Sequence, residues 1–287
     1  MRFLTFKYNG EEGVGVLDSS GEVRGLLASD PGYPGNLDKL IGASDAALRD
    51  AGPLLLKGKA FDQQAITILP PLSASAKIIC IGLNYAAHTQ EGGFQPQTYP
   101  AVFTRFNSSL IGHRAPLLRP RVSDKLDYEG EMVAVIGRGG RYIGKDDALA
   151  HVIAYSAFND GSIRDYQMKT AQWTVGKNFD GTGAFGPHLV TADELPAGAT
   201  GLRLQTRLNG QIVQDASTAD LIFDVATLVS TLSEAFTLQR GDIIVTGTPS
   251  GVGFARKPPL FMKAGDVCEI EIEGVGTLVN PVVDEAA

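Results

Sequence analysis

Residues 126 to 137 read Leu126-Asp127-Tyr128-Glu129-Gly130-Glu131-Met132-Val133-Ala134-Val135-Ile136-Gly137, an apolar strand pattern with two glutamates set into it. Extended backbone has a side-chain period of two, so Glu129 and Glu131 project from one face and are followed on it by Val133 and Val135. Two like charges held that close in a half-dry site repel each other and lose hydration, and they persist only with protonation or a cation. A divalent metal meets that need. Carboxylate oxygens with no thiolate nearby favour a hard ion over zinc: Mg²⁺ or Mn²⁺, with Ca²⁺ also accommodated. A bare Glu-x-Glu equally fits an edge strand whose glutamates face water, so the surrounding sequence has to decide.

On either side of this stretch the chain alternates short strand patterns with glycine and proline turns. Strands are expected at Lys77–Gly82, Ala101–Phe106, Leu126–Ile136, His151–Phe158, Leu202–Leu208, Ile212–Asp215, Asp242–Thr246, Val267–Ile272 and Gly276–Val282. Asn209-Gly210 between two alternating runs signals a type I′ hairpin. Asp224 is placed to cap a helix running to Phe236, with Leu228, Leu232 and Phe236 at four-residue spacing. Residues 1–70 differ in texture, with three strand-like runs, a helical stretch from Asn36 to Arg49 and a proline-marked end at Leu69-Pro70-Pro71. The expectation is an α+β, predominantly β chain: a small N-terminal α+β domain over residues 1–70 and a larger domain over 71–287.

Composition narrows the function. With 287 residues and 44% hydrophobic content the chain has material for a sizeable core. No apolar run is long enough to span a membrane, and Met1 to Lys7 reads as a strand rather than a signal peptide, so a cytoplasmic protein without a membrane partner is expected. The net charge of −7 argues against nucleic acid as a partner. Cys80, inside the apolar run Ile78 to Ile81, and Cys268 are the only cysteines and imply no disulfide framework.

Asp160 is the candidate third metal ligand, because it ends the apolar run from Val152 to Asn159 and a carboxylate there faces a sheet rim; a turn capping the next helix is the alternative. His88 and Glu91, one helical turn apart after the strand Lys77–Gly82, can act as a general-base pair, the carboxylate holding the imidazole tautomer. Arg164 and Gln167 repeat that spacing, and Lys177 follows. Near a carboxylate-bound metal these three would donate to an anionic substrate or a developing oxyanion. The segment Thr246-Gly247-Thr248-Pro249-Ser250-Gly251-Val252-Gly253 lets backbone amides approach an anion, yet it lacks the phosphate-loop ending and the serine-hydrolase elbow.

Taken in order, these motifs resemble the fumarylacetoacetate hydrolase family over Lys77 to Val282: Gly82-Leu83-Asn84-Tyr85 with His88 and Glu91, Tyr128-Glu129-Gly130-Glu131, Asn159-Asp160-Gly161-Ser162 with Arg164 and Gln167, then Gln172-Trp173, Gly176-Lys177, Gly186-Pro187, Asn209-Gly210 and the closing block from Gly241-Asp242 to Gly253. The resemblance implies a mixed β-roll catalytic domain, a homodimer, Mg²⁺ or Mn²⁺ on Glu129, Glu131 and Asp160, and a lid carrying His88 and Glu91. Two departures stand out. Phe103-Thr104-Arg105-Phe106 occupies a place where the family often has Lys-Pro, and Lys177-Asn178-Phe179-Asp180 replaces its usual Lys-Ser-x-Asp.

The expected reaction is hydrolysis of a C–C bond in an acylpyruvate such as a fumaryl- or maleylpyruvate, in aromatic or sugar-acid catabolism, giving pyruvate and a carboxylic acid. The metal would stabilise the departing enolate. His88 with Glu91 would deprotonate the attacking water, and Lys177 with Gln167 would hold the oxyanion. Arg164, Thr248, Tyr85 and Arg105 complete the substrate-binding set. Arg105 would pair with a second substrate carboxylate, or else is an exposed charge closing a strand. Decarboxylation or lyase cleavage of oxaloacetate or another β-keto acid uses the same metal-enolate logic and is the main rival. A catalytically silent ligand-binding protein is the second.

Overall fold

Strand Gly130–Ile136 is buried at every position, because both faces of its sheet are covered. In this computed structural model, which describes residues 1–93, 95 and 97–286, Met132, Ala134 and Ile136 pack against Leu204, Ile270, Ile272 and Leu278 of a second sheet. Val133 and Val135 point the other way, into a core shared with Phe3, Leu48, Leu55, Phe158 and Phe185. The chain is α+β and predominantly β, as its turn-rich texture implies.

Across the main sheet the strands run Lys59–Phe61, Val23–Leu27, Glu11–Leu17, Arg2–Tyr8, Gly183–Thr191, Val152–Asp160, Gly130–Ile136, Ile243–Val245, Ile78–Gly82 and Ala101–Thr104. Neighbours on this path are antiparallel except Ile243–Val245 beside Ile78–Gly82. The second sheet orders Gln211–Ser217, Arg203–Leu208, Val267–Ile272, Gly276–Asp284 and Leu117–Arg119. Its first hairpin turns at Asn209 and Gly210 with φ of 53° and 77°, the left-handed pair a type I′ turn requires. Helix Val225–Ala235 starts where expected, the Asp224 carboxylate accepting the Thr227 N–H at 2.7 Å.

Several elements differ from the sequence reading. The expected strand Leu126–Ile136 is two strands, because Leu126–Asp127 pairs with Ser162–Ile163 in a separate ribbon. At the break, side chains replace the ladder: Asp127 accepts the Tyr128 N–H, and Asn159 accepts that of Glu129. The helical stretch from Asn36 is likewise two helices, Leu37–Ala43 and Asp45–Leu56. Ser44 closes the first through its N–H to Leu40 and caps the second through its hydroxyl. Strand Gly183–Thr191 was not among the expected strands; Pro187 within it sits where the pairing with Tyr155 and Ala157 shifts register, a bulge that tolerates its missing N–H.

That strand also joins the first seventy residues to the rest. Arg2–Tyr8 pairs with it through Phe3 and Leu189, so the N-terminal meander extends the catalytic sheet across the prolines at 70 and 71. The start of Gly130–Ile136, the end of Val152–Asp160 and the ends of Ile78–Gly82 and Ile243–Val245 then meet on one rim.

Candidate active site

Glu129, Glu131 and Asp160 come together on that rim, each offering a carboxylate oxygen within 4.8 Å of the others, all buried. The register that pairs Glu131 with Phe158 sets Asp160 beside Glu129, whose carbonyl accepts the Asp160 N–H at 2.9 Å. Three converging oxygens with no sulfur or imidazole among them fit a hard divalent cation. Burial pushes the Glu131 carboxyl well up, with Asp160 and Glu129 adding like-charge repulsion that Lys177 only partly offsets. Burial acts the same way on Glu129, but Lys177 and Arg164 outweigh it and hold that carboxyl low.

Lys177, on the one-turn helix Thr174–Lys177, places Nζ 2.6 Å from Glu129 Oε2 and 2.6 Å from Asp160 Oδ2. Two of its three N–H groups are thus committed to metal-site carboxylates, leaving one for a substrate. Arg164 donates Nε to Asp127 at 2.7 Å and Nη1 to Glu129 at 2.7 Å and to Gln167 at 2.9 Å. Its Nη2 is buried and has no partner among the described residues. An orphaned guanidinium nitrogen is a costly thing to bury, and it marks where an anionic group belongs.

His88 and Glu91 lie on the short helix Ala86–Glu91, with Nδ1 and Oε1 3.2 Å apart. Although burial opposes it, the bonds from His88 and from the Gly251 amide keep the Glu91 carboxyl below its usual range. A carboxylate on Nδ1 selects the tautomer with the proton there and leaves Nε2 as the base. His88, Glu129, Glu131, Arg164, Gln167 and Lys177 line one pocket. Phe103, Trp173 and Phe254 supply its apolar lining, the half-exposed Met168 lies at its edge, and its free space is about 30 Å³.

Three residues expected to bind substrate are engaged or placed differently from the pocket's other residues. Arg105 is not an exposed strand-end charge: it is buried and ion-paired with Asp160, outside the pocket lining. Three further donors go to the Gly161 carbonyl at 3.1 Å, Thr182 at 2.7 Å and Ser109 at 3.3 Å, so four of its five N–H groups are engaged inside the protein. Thr248 lines the pocket, but its hydroxyl hydrogen is committed to the Gly130 carbonyl at 3.0 Å, which removes it as a donor to substrate. Tyr85, like Arg105, is not among the residues lining the pocket; burial and the Glu131 charge push its phenol up, and its hydroxyl has no partner among the described residues.

Asn178, where the chain departs from the family's usual serine, staples the Lys177 helix to the neighbouring edge strand, donating to Thr104 and Thr174 and accepting the Phe106 N–H. Sequence reasoning missed Asp127, which accepts Arg164 Nε and the N–H groups of Gly253 and Phe254 at 2.8 and 2.9 Å. The signal was present: Asp127, Glu129 and Glu131 continue one period-two series.

Residues 77–283 match the family model described as the fumarylacetoacetate hydrolase C-terminal domain. The chain belongs to the fumarylacetoacetate hydrolase family. Among curated members it is 38% identical over 270 residues to a Xenopus laevis protein named oxaloacetate tautomerase, mitochondrial, covering 93% of this chain and 84% of that one. Among solved members, a fumarylacetoacetate hydrolase from Exiguobacterium antarcticum superimposes with a TM-score of 0.84 at 33% identity, covering 99% of this chain and 100% of the other. The structure described as 5-carboxymethyl-2-hydroxymuconate delta-isomerase from Mycobacterium smegmatis gives a TM-score of 0.78 at 30% identity, with 100% of both chains covered. Among the described residues, no helix is long and apolar enough to cross a membrane.

Proposed function

We propose that this family member is a metal-dependent keto–enol tautomerase acting on oxaloacetate or a closely similar 2-keto dicarboxylic acid. The observation that carries the reading is the unpartnered Arg164 Nη2 in the same pocket as His88, Glu129 and Glu131. A pocket with one orphaned guanidinium nitrogen suits a substrate that brings its own carboxylate. The name of the Xenopus relative supports oxaloacetate, and the isomerase description of the Mycobacterium smegmatis structure supports a reaction that moves a proton rather than cleaving a bond.

Glu129, Glu131 and Asp160 would hold Mg²⁺ or Mn²⁺, which when bound draws electron density from the substrate's keto oxygen and acidifies the neighbouring C–H. His88 Nε2 takes the proton from that carbon and returns it to the keto oxygen, so the enol forms and the imidazole ends neutral; the reverse sequence restores the ketone. Glu91 keeps the imidazole in the accepting tautomer. Arg164 holds a substrate carboxylate, and the spare N–H of Lys177 and the Gln167 amide orient the remaining oxygens. The free space of about 30 Å³ holds a water or two. Substrate entry therefore has the helix Ala86–Glu91 act as a lid that releases Gly251.

Acylpyruvate hydrolysis, the first expectation from sequence, draws on the same residues and additionally needs a positioned water and a free oxyanion donor. Lys177, expected in that role, has one N–H left for it after two go to carboxylates, so the donor set does not separate the two reactions. Decarboxylation needs the same activated ketone but releases CO₂. The three separate by product: with Mn²⁺ present, oxaloacetate enol should convert to the keto form, followed by its ultraviolet absorbance, without CO₂. Release of CO₂ and pyruvate would identify a decarboxylase, and two acids from an acylpyruvate would identify a hydrolase. A homodimer belongs to this reading and is checked by light scattering. A cytoplasmic location rests on the sequence alone, against relatives named as mitochondrial.

A further inference from the structure

Gly130, between the two metal-site glutamates, has no room for a side chain: a Cβ there would lie 2.2 Å from Thr206 Oγ1 and 3.4 Å from Gln214 Oε1. The second sheet therefore presses on the backbone of the metal strand at this one point. Gln214 is 2% exposed and occupies the contact with all four of its hydrogen-bonding positions filled. Its Oε1 accepts the Gly130 N–H at 2.9 Å and the Thr206 hydroxyl at 2.6 Å. Its Nε2 donates to Thr248 Oγ1 at 2.8 Å and to the Pro249 carbonyl at 2.9 Å. Thr248 closes the ring by donating to the Gly130 carbonyl at 3.0 Å. Because a backbone N–H can only donate, the orientation of the Gln214 amide is fixed by the bond from Gly130.

This ring ties three separate segments to the two peptide groups on either side of the Gly130 Cα. Gly130 carries Glu129 on one side and Glu131 on the other, and Gly247, next to Thr248, donates its N–H to Glu131 Oε2 at 2.5 Å. Rotation of the first of these peptide groups would turn Glu129, rotation of the second would turn Glu131, and movement of Thr248 would shift the amide that holds Glu131. We infer that Gln214 is a positioning residue for the metal site, fixing the separation and direction of Glu129 and Glu131 from the opposite sheet. The inference rests on the metal reading above.

The test is Mn²⁺ titration of the purified full-length protein, read by calorimetry and by the electron paramagnetic resonance of free Mn²⁺. Gln214→Met keeps the volume and removes all four bonds, and should weaken Mn²⁺ binding about 10-fold or more. The circular dichroism and thermal transition should still be those of a folded protein. Gln214→Glu keeps both acceptor bonds, Gly130 included, and should bind Mn²⁺ at least as tightly as wild type. A residue that merely contributed stability would leave the affinity of the folded protein unchanged in both variants, and that result overturns the inference, as do equal losses in the two. Should Gln214→Met fail to fold, Thr248→Val opens the same ring from its other side; a folded Thr248→Val protein with wild-type Mn²⁺ affinity likewise overturns it. Wild-type protein that binds no Mn²⁺ would overturn the metal reading itself, a separate failure.

Discussion

Glu91 receives the backbone N–H of Gly251 on both carboxylate oxygens, at 2.9 and 3.0 Å. The same Oε1 lies 3.2 Å from His88 Nδ1, so the contact that latches the short helix to the glycine-rich loop also orients the imidazole. In the proposed mechanism, lifting the helix off Gly251 would also release the imidazole.

The first prediction follows from that shared oxygen. His88→Ala should lower kcat by roughly 10²–10⁴. Glu91→Gln should lower it for the same reason, through a misdirected tautomer and a looser latch. The double variant should be little worse than His88→Ala alone, since parts of one unit do not add. Steady-state kinetics of the three proteins decide it, and independent, multiplicative losses would separate the two residues.

Glu131→Gln should move stability and metal binding in opposite directions. Without metal, the substitution removes a buried carboxyl that burial and its neighbours Asp160 and Glu129 already disfavour as an anion, so the melting temperature should rise by roughly 2 °C or more. Mn²⁺ affinity should fall about 100-fold or more, because an anionic ligand is lost. Scanning calorimetry of metal-free protein and Mn²⁺ titration read the two effects separately.

Arg105→Ala should act on folding before it acts on substrate choice. It leaves Asp160 buried without its guanidinium, and breaking a buried pair by removing one partner costs about 3–5 kcal/mol. Denaturant unfolding should register that loss, and turnover of monocarboxylate and dicarboxylate substrates should fall together. A loss confined to dicarboxylates would return Arg105 to the substrate pocket.

Acid should loosen the protein through His188 before it protonates the paired carboxylates. Burial pulls this imidazole down from the ordinary 6.5 to about 4, while Nε2 donates to the Val275 carbonyl at 2.6 Å. Between those values the unfolded chain holds the proton and the folded one does not. The contribution is whole above pH about 6.5 and lost as pH falls toward 4, at ~1.4 kcal/mol per pH unit. Melting temperatures should climb across that window in wild type and less steeply in His188→Gln.

Much of the site was legible because its chemistry is written locally. Period-two spacing placed Glu129 and Glu131 together, and one-turn spacing did the same for His88 with Glu91 and Arg164 with Gln167. What escaped was non-local. Gln214 carries no signal of its own, since its strand buries Val213 beside it and exposes Ile212, so simple alternation fails. Arg105 read as a surface charge because its partners, Asp160 and Thr182, lie 55 and 77 residues away. Strand Gly183–Thr191, also not among the expected strands, carries a proline that a bulge accommodates.

That strand bears on how the protein can be cut. Gly183–Thr191 is flanked on one side by Arg2–Tyr8 and on the other by Val152–Asp160. A polypeptide trimmed to the segment after residue 70 would retain every group of the triad and the base pair, yet it would present the Arg2 and Phe3 pairing positions at Val190 and Leu189 as a bare β edge beside a core missing Phe3, Leu48 and Leu55. An apolar, unpaired edge of that kind recruits strands from other molecules. The amino-terminal meander thus serves as the catalytic sheet's guard against self-association, and precipitation on truncation would say nothing about the chemistry of the site.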